Sequence, residues 1–130
     1  MNHLIFLQSI MNLRGVGRKK SYAIVNQLQL DKSVNVSENE FIEQFSSIKE
    51  FKLYKIEINE LRQCIDAAKR IFYEHAKNNI SSVAFFENDF PKKLLEIKDP
   101  PVLLFYKGNI SKLNNANGVA EVGARKPSLN

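Results

Sequence analysis

The chain has 130 residues, a length that fits one domain or two small ones and allows a buried core. Apolar residues make up 44% and charged residues 25%, ordinary globular values that exclude wholesale disorder. No apolar run approaches the roughly 18 residues of a membrane span, and "HLIFLQSIMNL" fits a helix better than a signal peptide. We therefore expect a cytoplasmic protein without membrane contact. The single cysteine, Cys64, excludes an internal disulfide and a multi-thiolate zinc site.

The net charge of +5 is unevenly distributed along the chain. Residues 1–36 carry a net +4, residues 37–100 carry −2, and residues 101–130 carry +3. Basic blocks at the two ends suggest a polyanion as partner. The alternative is that they are solvated basic surfaces without a partner.

The first part of the sequence has helical periodicity. Apolar residues recur at helical spacing on both sides of "RGVG", which predicts a helical hairpin over residues 3–29. Ser37 and Glu40 predict a capping box that opens a third helix. Asn59 is the expected N-cap of a longer helix that ends near "KNN". The segment "FKLYKIEI" fits either a helical turn or a short extended link.

The pattern changes after residue 80. Three short apolar runs predict strands at residues 82–86, 102–106 and 119–122, and "PKKLLEI" fits a short helix with Pro91 near its start. The first two runs do not alternate apolar with polar residues, which is typical of parallel sheets covered on both faces. We therefore predict an α+β chain, with an all-α domain over residues 1–79 and the start of an α/β domain over residues 80–130.

The turn "RGVG" is the first candidate site. Gly15 and Gly17 allow a tight link between two helices, and the free amides that begin the second helix would attract an anion. The turn and its cations resemble a helix-hairpin-helix, a DNA-binding element that does not read base sequence. Cations crowd this end of the helix: Arg14, Arg18, Lys19 and Lys20. The alternative is a hairpin that serves only for packing.

A series of motifs follows in the C-terminal part of the chain. In order they are Asp89-Phe90-Pro91, Leu95, Asp99-Pro100-Pro101, Leu104-Phe105, Lys107-Gly108, Val119-Ala120, Val122-Gly123 and Arg125-Lys126. This succession resembles the N-terminal half of the DNA-processing protein A family (DprA, also called Smf), most strongly over residues 87–128. The resemblance implies a helix-hairpin-helix or sterile-alpha-motif-like domain ahead of a Rossmann-like domain, single-stranded DNA binding, and RecA loading during natural transformation.

The resemblance also implies a second DNA contact, at the family's Gly-Ser/Thr-Arg turn. Gly123 would admit the DNA backbone, Arg125 would bind a phosphate through two hydrogen bonds, and Lys126 would add a charge. Two residues depart from the family pattern, because Ala124 lacks the hydroxyl and Glu121 replaces an apolar strand residue. The family continues past this turn, so we interpret the chain as a truncated form of a Rossmann-like domain.

No pattern predicts catalysis, a bound metal or a cofactor. His3 and His75 have no companion ligands at metal-binding spacing, and "GVG" does not follow a strand as a dinucleotide fingerprint would. We expect four aromatic residues to lie in the core rather than to stack on bases: Phe85, Phe86, Phe105 and Tyr106.

Three functions are compatible with the sequence. The favoured one is a non-catalytic DNA-binding module that contacts phosphates through Gly15, Gly17, Arg18, Lys19 and Lys20, with Gly123, Arg125 and Lys126 as a second site. The alternative is a structural or protein-interaction remnant. A nucleotide-dependent Rossmann enzyme is disfavoured, because the glycine-rich turn and the acidic ribose ligand are missing.

Overall fold

A computed structural model describes residues 1–110 and 123–124. Within these residues it has five α-helices, one short 3-10 helix and three short strands. Their bounds are α1 His3–Asn12, α2 Arg18–Leu28, α3 Glu38–Ser47, α4 Lys49–Leu53, α5 Ile58–Lys77, β1 Ser81–Ala84, the 3-10 helix Lys92–Glu96, β2 Leu103–Tyr106 and β3 Gly123–Ala124. The α+β class is therefore confirmed. None of the described helices combines the length and apolarity needed to cross a membrane.

Local side chains set the start of two helices. The Asn2 carboxamide oxygen accepts hydrogen bonds from the amides of Leu4 and Ile5, both at 3.1 Å. The Ser37 hydroxyl oxygen accepts one from the Glu40 amide at 3.1 Å, which confirms Ser37 as the predicted N-cap of α3. Each cap satisfies amides that the first helical turn leaves without a partner.

The start of α5 differs from the prediction. The helix begins at Ile58 after Glu57, so Asn59 lies in the first turn and is not the cap. Ile56 and Leu61 flank this start in the positions of a hydrophobic staple, and both are buried in the same core cluster. Burial of these two apolar residues therefore sets the helix start, in place of the polar cap. The undecided segment "FKLYKIEI" contains the end of α4 and a turn at Lys55, whose φ is 57°.

The main core lies among the helices. Phe6 of α1 stacks on Phe41 of α3 with ring centroids 3.9 Å apart, and both side chains are fully buried. The same apolar cluster includes Ala84 of β1 and Leu103 of β2. Apolar packing thus continues across the predicted domain boundary near residue 79, and the division into two domains stays a prediction.

The sheet is antiparallel, which corrects the predicted parallel arrangement. β1 pairs with β2, placing Ala84 opposite Leu103, and β2 pairs with β3, placing Phe105 opposite Gly123. Only the short 3-10 helix lies between β1 and β2, and no α-helix of crossover length covers the sheet there. The predicted strand at residues 119–122 lies outside the described residues.

Burial on both faces explains why the strands are continuously apolar. Ala84 and Leu103 face the helical core, whereas the neighbouring pair Val83 and Leu104 belongs to a second cluster with Phe90. Successive residues of a strand point to opposite faces, so both faces demand apolar side chains. The continuous apolar runs therefore predicted burial of both sheet faces correctly, but they did not indicate whether the strands are parallel or antiparallel.

Candidate nucleic-acid interface

The turn between α1 and α2 depends on one glycine. Gly15 has a φ of +79°, a conformation that residues with a Cβ rarely adopt. The next residue, Val16, is buried in the core, and its amide donates a hydrogen bond to the Leu13 carbonyl at 3.3 Å. The turn therefore inserts one apolar side chain into the core while Gly15 and Gly17 remain exposed.

The first turn of α2 supplies no acidic residue and no side-chain cap. Gly17 is its N-cap and provides no side-chain hydrogen bond, and the first turn contains no Asp or Glu. The first helical bond runs from the Ser21 amide to the Gly17 carbonyl at 2.9 Å. The preceding amides of the first turn have no acceptor within the described part of the chain. The partial positive charge of the helix end is thus available to an anion.

Two of the cations at this end, Arg18 and Lys20, have neutral partners. The Arg18 guanidinium donates a hydrogen bond to the Asp99 main-chain carbonyl. Lys20 Nζ donates to the Gly15 carbonyl at 3.2 Å and lies 4.9 Å from the centroid of the Tyr54 ring. Lys19 is exposed. Among residues 1–110 and 123–124, none of the four predicted cations forms a salt bridge with a carboxylate.

The acidic residue Glu60 contacts the main chain of the turn. The Glu60 carboxylate accepts a hydrogen bond from the main-chain amide of Arg14 at 2.9 Å. This bond involves the backbone of Arg14 and leaves its guanidinium unpaired among the described residues. Glu60 thereby fixes Arg14, the first residue of the turn, to the first turn of α5.

The structure brings five of the predicted site residues together. A groove of about 440 Å³ is lined by Gly15, Gly17, Arg18, Lys19, Lys20 and Asp99. Sequence reasoning did not place Asp99 here, because it lies 81 residues from Arg18 along the chain. Its only sequence signal was membership of the Asp-Pro-Pro motif, which carries no information about what the motif contacts.

The segment that contains Asp99 rests against α2. We call Asp99, Pro100 and Pro101 the 99–101 link. The Tyr22 hydroxyl donates to the Pro100 carbonyl at 3.2 Å, and Pro101 O lies 3.5 Å from the same hydroxyl. The edge of the Tyr22 ring meets Phe85, with centroids 4.7 Å apart. Burial raises the pKa of the Tyr22 phenol, which keeps it a donor.

The second predicted site is not brought to this groove in the described residues. Gly123 lies in β3 opposite Phe105, so it is part of a paired strand rather than an open turn. Arg125 and Lys126 lie outside the described residues. Their role as phosphate ligands stays a prediction.

The remaining candidate residues have structural contacts. His3 Nε2 lies 3.0 Å from Glu87 Oε2, and the His75 ring packs 4.5 Å from Phe105 between centroids. Burial lowers the pKa of His75 and raises the pKa of the Cys64 thiol, which disfavours a reactive thiolate. Within the described residues, no three His, Cys, Asp or Glu side chains group as a metal site.

The predicted core aromatics are partly buried rather than fully buried. Phe85, Phe86 and Phe105 pack against the helical cluster, and Tyr106 packs against the cluster around Phe90. Their contacts are those of core residues. None of the four lines the groove beside α2.

Two comparisons with known proteins find similarity to one family. Residues 81–130 match the family model described as DNA recombination-mediator protein A. The chain is also similar to the DNA processing protein DprA of Bacillus subtilis (strain 168), with 29% identity over 70 residues. That alignment covers 54% of this chain and 24% of the relative. No solved structure matches the chain significantly.

These two matches support membership of the chain in the DprA family, over part of that family's length. The resemblance drawn from the motif series is therefore confirmed. The chain spans about a quarter of the length of the curated relative it matches. The family match begins at Ser81, so it covers the sheet and the 99–101 link, whereas the groove residues of α2 precede it.

Proposed function

We propose that this chain is a non-catalytic DNA-binding protein of the DprA type that holds the backbone of single-stranded DNA at the N-terminus of α2. The observation that carries the proposal is the groove beside Gly15 and Gly17, where three cations have neutral partners or none. The match to recombination-mediator proteins supports DNA as the anion. A cytoplasmic location follows from this role.

The chemistry of the groove suits a phosphate and not a base. Unpaired amides at a helix start bind anionic oxygens, and lysine and arginine side chains add charge without reading base sequence. The backbone at Gly15 and Gly17 is open to a ligand, because no neighbouring atom lies within 4 Å of where a Cβ would be at either position. The binding is therefore sequence-independent.

We also propose that this chain shares further structural and functional features with the DprA family. Residues 3–29 act as a helix-hairpin-helix, residues 80–130 form the start of a Rossmann-like domain, and Gly123, Arg125 and Lys126 contribute a second phosphate site. Interaction with a RecA-type recombinase and a role in transformation belong to the same proposal. They are supported by family membership and by no contact in the described residues.

Salt dependence of oligonucleotide binding tests the proposed function. We expect the chain to bind fluorescent oligothymidylate with a Kd on the order of 10⁻⁴ to 10⁻⁶ M. The logarithm of the affinity should fall linearly with the logarithm of salt concentration, with a slope of about −0.7 for each phosphate neutralised. Fluorescence anisotropy across a salt series measures both quantities, and a salt-independent affinity would rule out backbone binding.

Charge reversal then locates the site. Changing Arg18, Lys19 and Lys20 to Glu should abolish oligonucleotide binding. A matched variant reverses three exposed cations elsewhere, Lys32, Arg70 and Lys93, and has the same net charge. It should retain most of the affinity. Equal losses in both variants would mean that net charge, and not the groove, holds the DNA.

One observation favours the packing alternative. Arg18 and Tyr22 both contact the 99–101 link, so this face of α2 also serves an internal contact. If that contact is its only role, the groove-reversed variant loses thermal stability, and the unsubstituted chain does not bind oligothymidylate at any salt concentration.

A further inference from the structure

Two side chains of α2 hold the 99–101 link. Arg18 and Tyr22 lie one helical turn apart, and both donate hydrogen bonds to main-chain carbonyls of the link. The link also lines the groove through Asp99. The same arginine therefore belongs to the groove and to the contact with the link.

The contact leaves the charge and most donors of Arg18 intact. A guanidinium has five N–H donors, and a carbonyl oxygen is a neutral acceptor. With one nitrogen fixed by the Asp99 carbonyl, the other donors keep a defined direction beside Lys19. A long side chain held in this way loses less rotamer freedom when it binds a phosphate.

We propose that the 99–101 link regulates the groove by positioning Arg18, so that the seated link strengthens binding of the DNA backbone and a released link weakens it. This inference rests on the proposed function and adds its regulation. Tyr22 is a positioning residue, because its hydroxyl holds the link and does not line the groove. The position of the Arg18 side chain in the groove therefore depends on whether the link is seated against α2.

Tyr22→Phe is the substitution that isolates this contact. It removes the hydroxyl that bonds to Pro100 and keeps the ring that packs on Phe85. It changes no charge at neutral pH. Any effect on DNA binding must therefore act through the position of the link or through general stability, and a double-mutant cycle separates these two causes.

The test measures oligothymidylate binding to the full chain at low salt by anisotropy. Tyr22→Phe should weaken binding about threefold, which corresponds to about 0.7 kcal/mol. In an Arg18→Ala background the same substitution should have no further effect. In a Lys19→Ala background it should again weaken binding about threefold, because among the described residues the link is held by Arg18 and Tyr22 and not by Lys19.

Three results would overturn the inference. An equal loss in the Arg18→Ala and Lys19→Ala backgrounds would give Tyr22 a merely structural role, and no loss in the unsubstituted background would show that the link does not position Arg18. Failure of the unsubstituted chain to bind oligothymidylate would overturn the proposed function and this regulation together. That failure is distinguishable, because it is seen before any substitution is made.

Discussion

Gly15 is the residue on which the shape of the α1–α2 turn depends. Its φ of +79° lies in the left-handed region, whereas Gly17 has a φ of −86° that other residues adopt. A side chain at Gly15 would meet no neighbour within 4 Å. Any cost of substitution there comes from the backbone alone.

We predict that Gly15→Ala lowers the free energy of unfolding by about 1 kcal/mol. Gly15→Asn should cost less than about half of that, because asparagine tolerates the left-handed region. Urea unfolding of both variants measures the difference. Equal costs would show that backbone conformation is not the constraint at this turn.

We expect His75 to make the stability of the chain depend on pH. Burial lowers the pKa of His75 from its ordinary value of 6.5, so between the lowered pKa and 6.5 the unfolded chain binds more protons than the folded chain. The free energy of unfolding should therefore fall as the pH decreases through 6.5.

We predict that His75→Phe reduces this loss while keeping an aromatic ring against Phe105. Urea unfolding at about pH 7.5 and about pH 5 compares the variant with the unsubstituted chain. If the two proteins lose the same amount of stability, His75 is not the group responsible.

At the scale of elements, short-range polar contacts decide some helix starts and burial decides others. Ser37 caps α3 through a hydrogen bond to Glu40, as its spacing predicted. α5 instead begins between two buried apolar residues, Ile56 and Leu61. A cap can be recognised from four consecutive residues, but the burial of a staple depends on the rest of the core.

Ser37→Ala should lower the free energy of unfolding by about 1 kcal/mol, because the Glu40 amide loses its acceptor. Ser46→Ala is the matched control, since this exposed hydroxyl only donates to the Glu43 carbonyl near the end of the same helix. Its effect should stay within about 0.5 kcal/mol. Chemical denaturation measures the free energy of unfolding of both variants. Similar losses of stability in the two would show that the cap does not stabilise α3 specifically.

The sheet shows where sequence patterns stop being informative. Continuous apolar runs at β1 and β2 correctly predicted strands buried on both faces. Strand direction was predicted wrongly, because the covering layers are the helical core and the cluster around Phe90 rather than crossover helices. Direction is decided by how residues 85–102 fold back, and that path depends on contacts far apart in sequence.

At the scale of the whole molecule, one apolar cluster joins the helices to the sheet. Leu103 is fully buried in the cluster that contains Phe6 and Phe41. The predicted boundary near residue 79 was drawn from a change in sequence pattern. The pattern detects the change from helices to strands but gives no information on whether the two parts share a core.

Leu103→Ala should destabilise the chain by about 2 to 5 kcal/mol, because it opens a cavity in the shared cluster. Far-UV circular dichroism should show that helices are lost in one transition at a lower urea concentration. A helical signal that keeps its original midpoint would instead support two independent domains, residues 1–79 and 80–130.

Part of the groove could be predicted from the sequence, namely the part formed by residues close together in the chain. Gly15, Gly17 and the three following cations all lie within residues 15–20, so their proximity at the start of α2 was expected from the sequence. The contact of Arg18 with Asp99 spans 81 residues and no local pattern encodes it. The neutral partners of the cations, on which the proposal depends, could only be seen in the folded chain.

Backbone amide chemical shifts test the central claim most directly, because they report on individual residues of α2. The chain, labelled with nitrogen-15, is titrated with oligothymidylate at low salt. If DNA phosphates bind the groove, the largest shifts appear at the amides of Gly17, Arg18 and Lys19, and added salt reverses them. Saturating oligonucleotide that leaves these amides unchanged, or shifts only residues remote from the groove, would contradict the account.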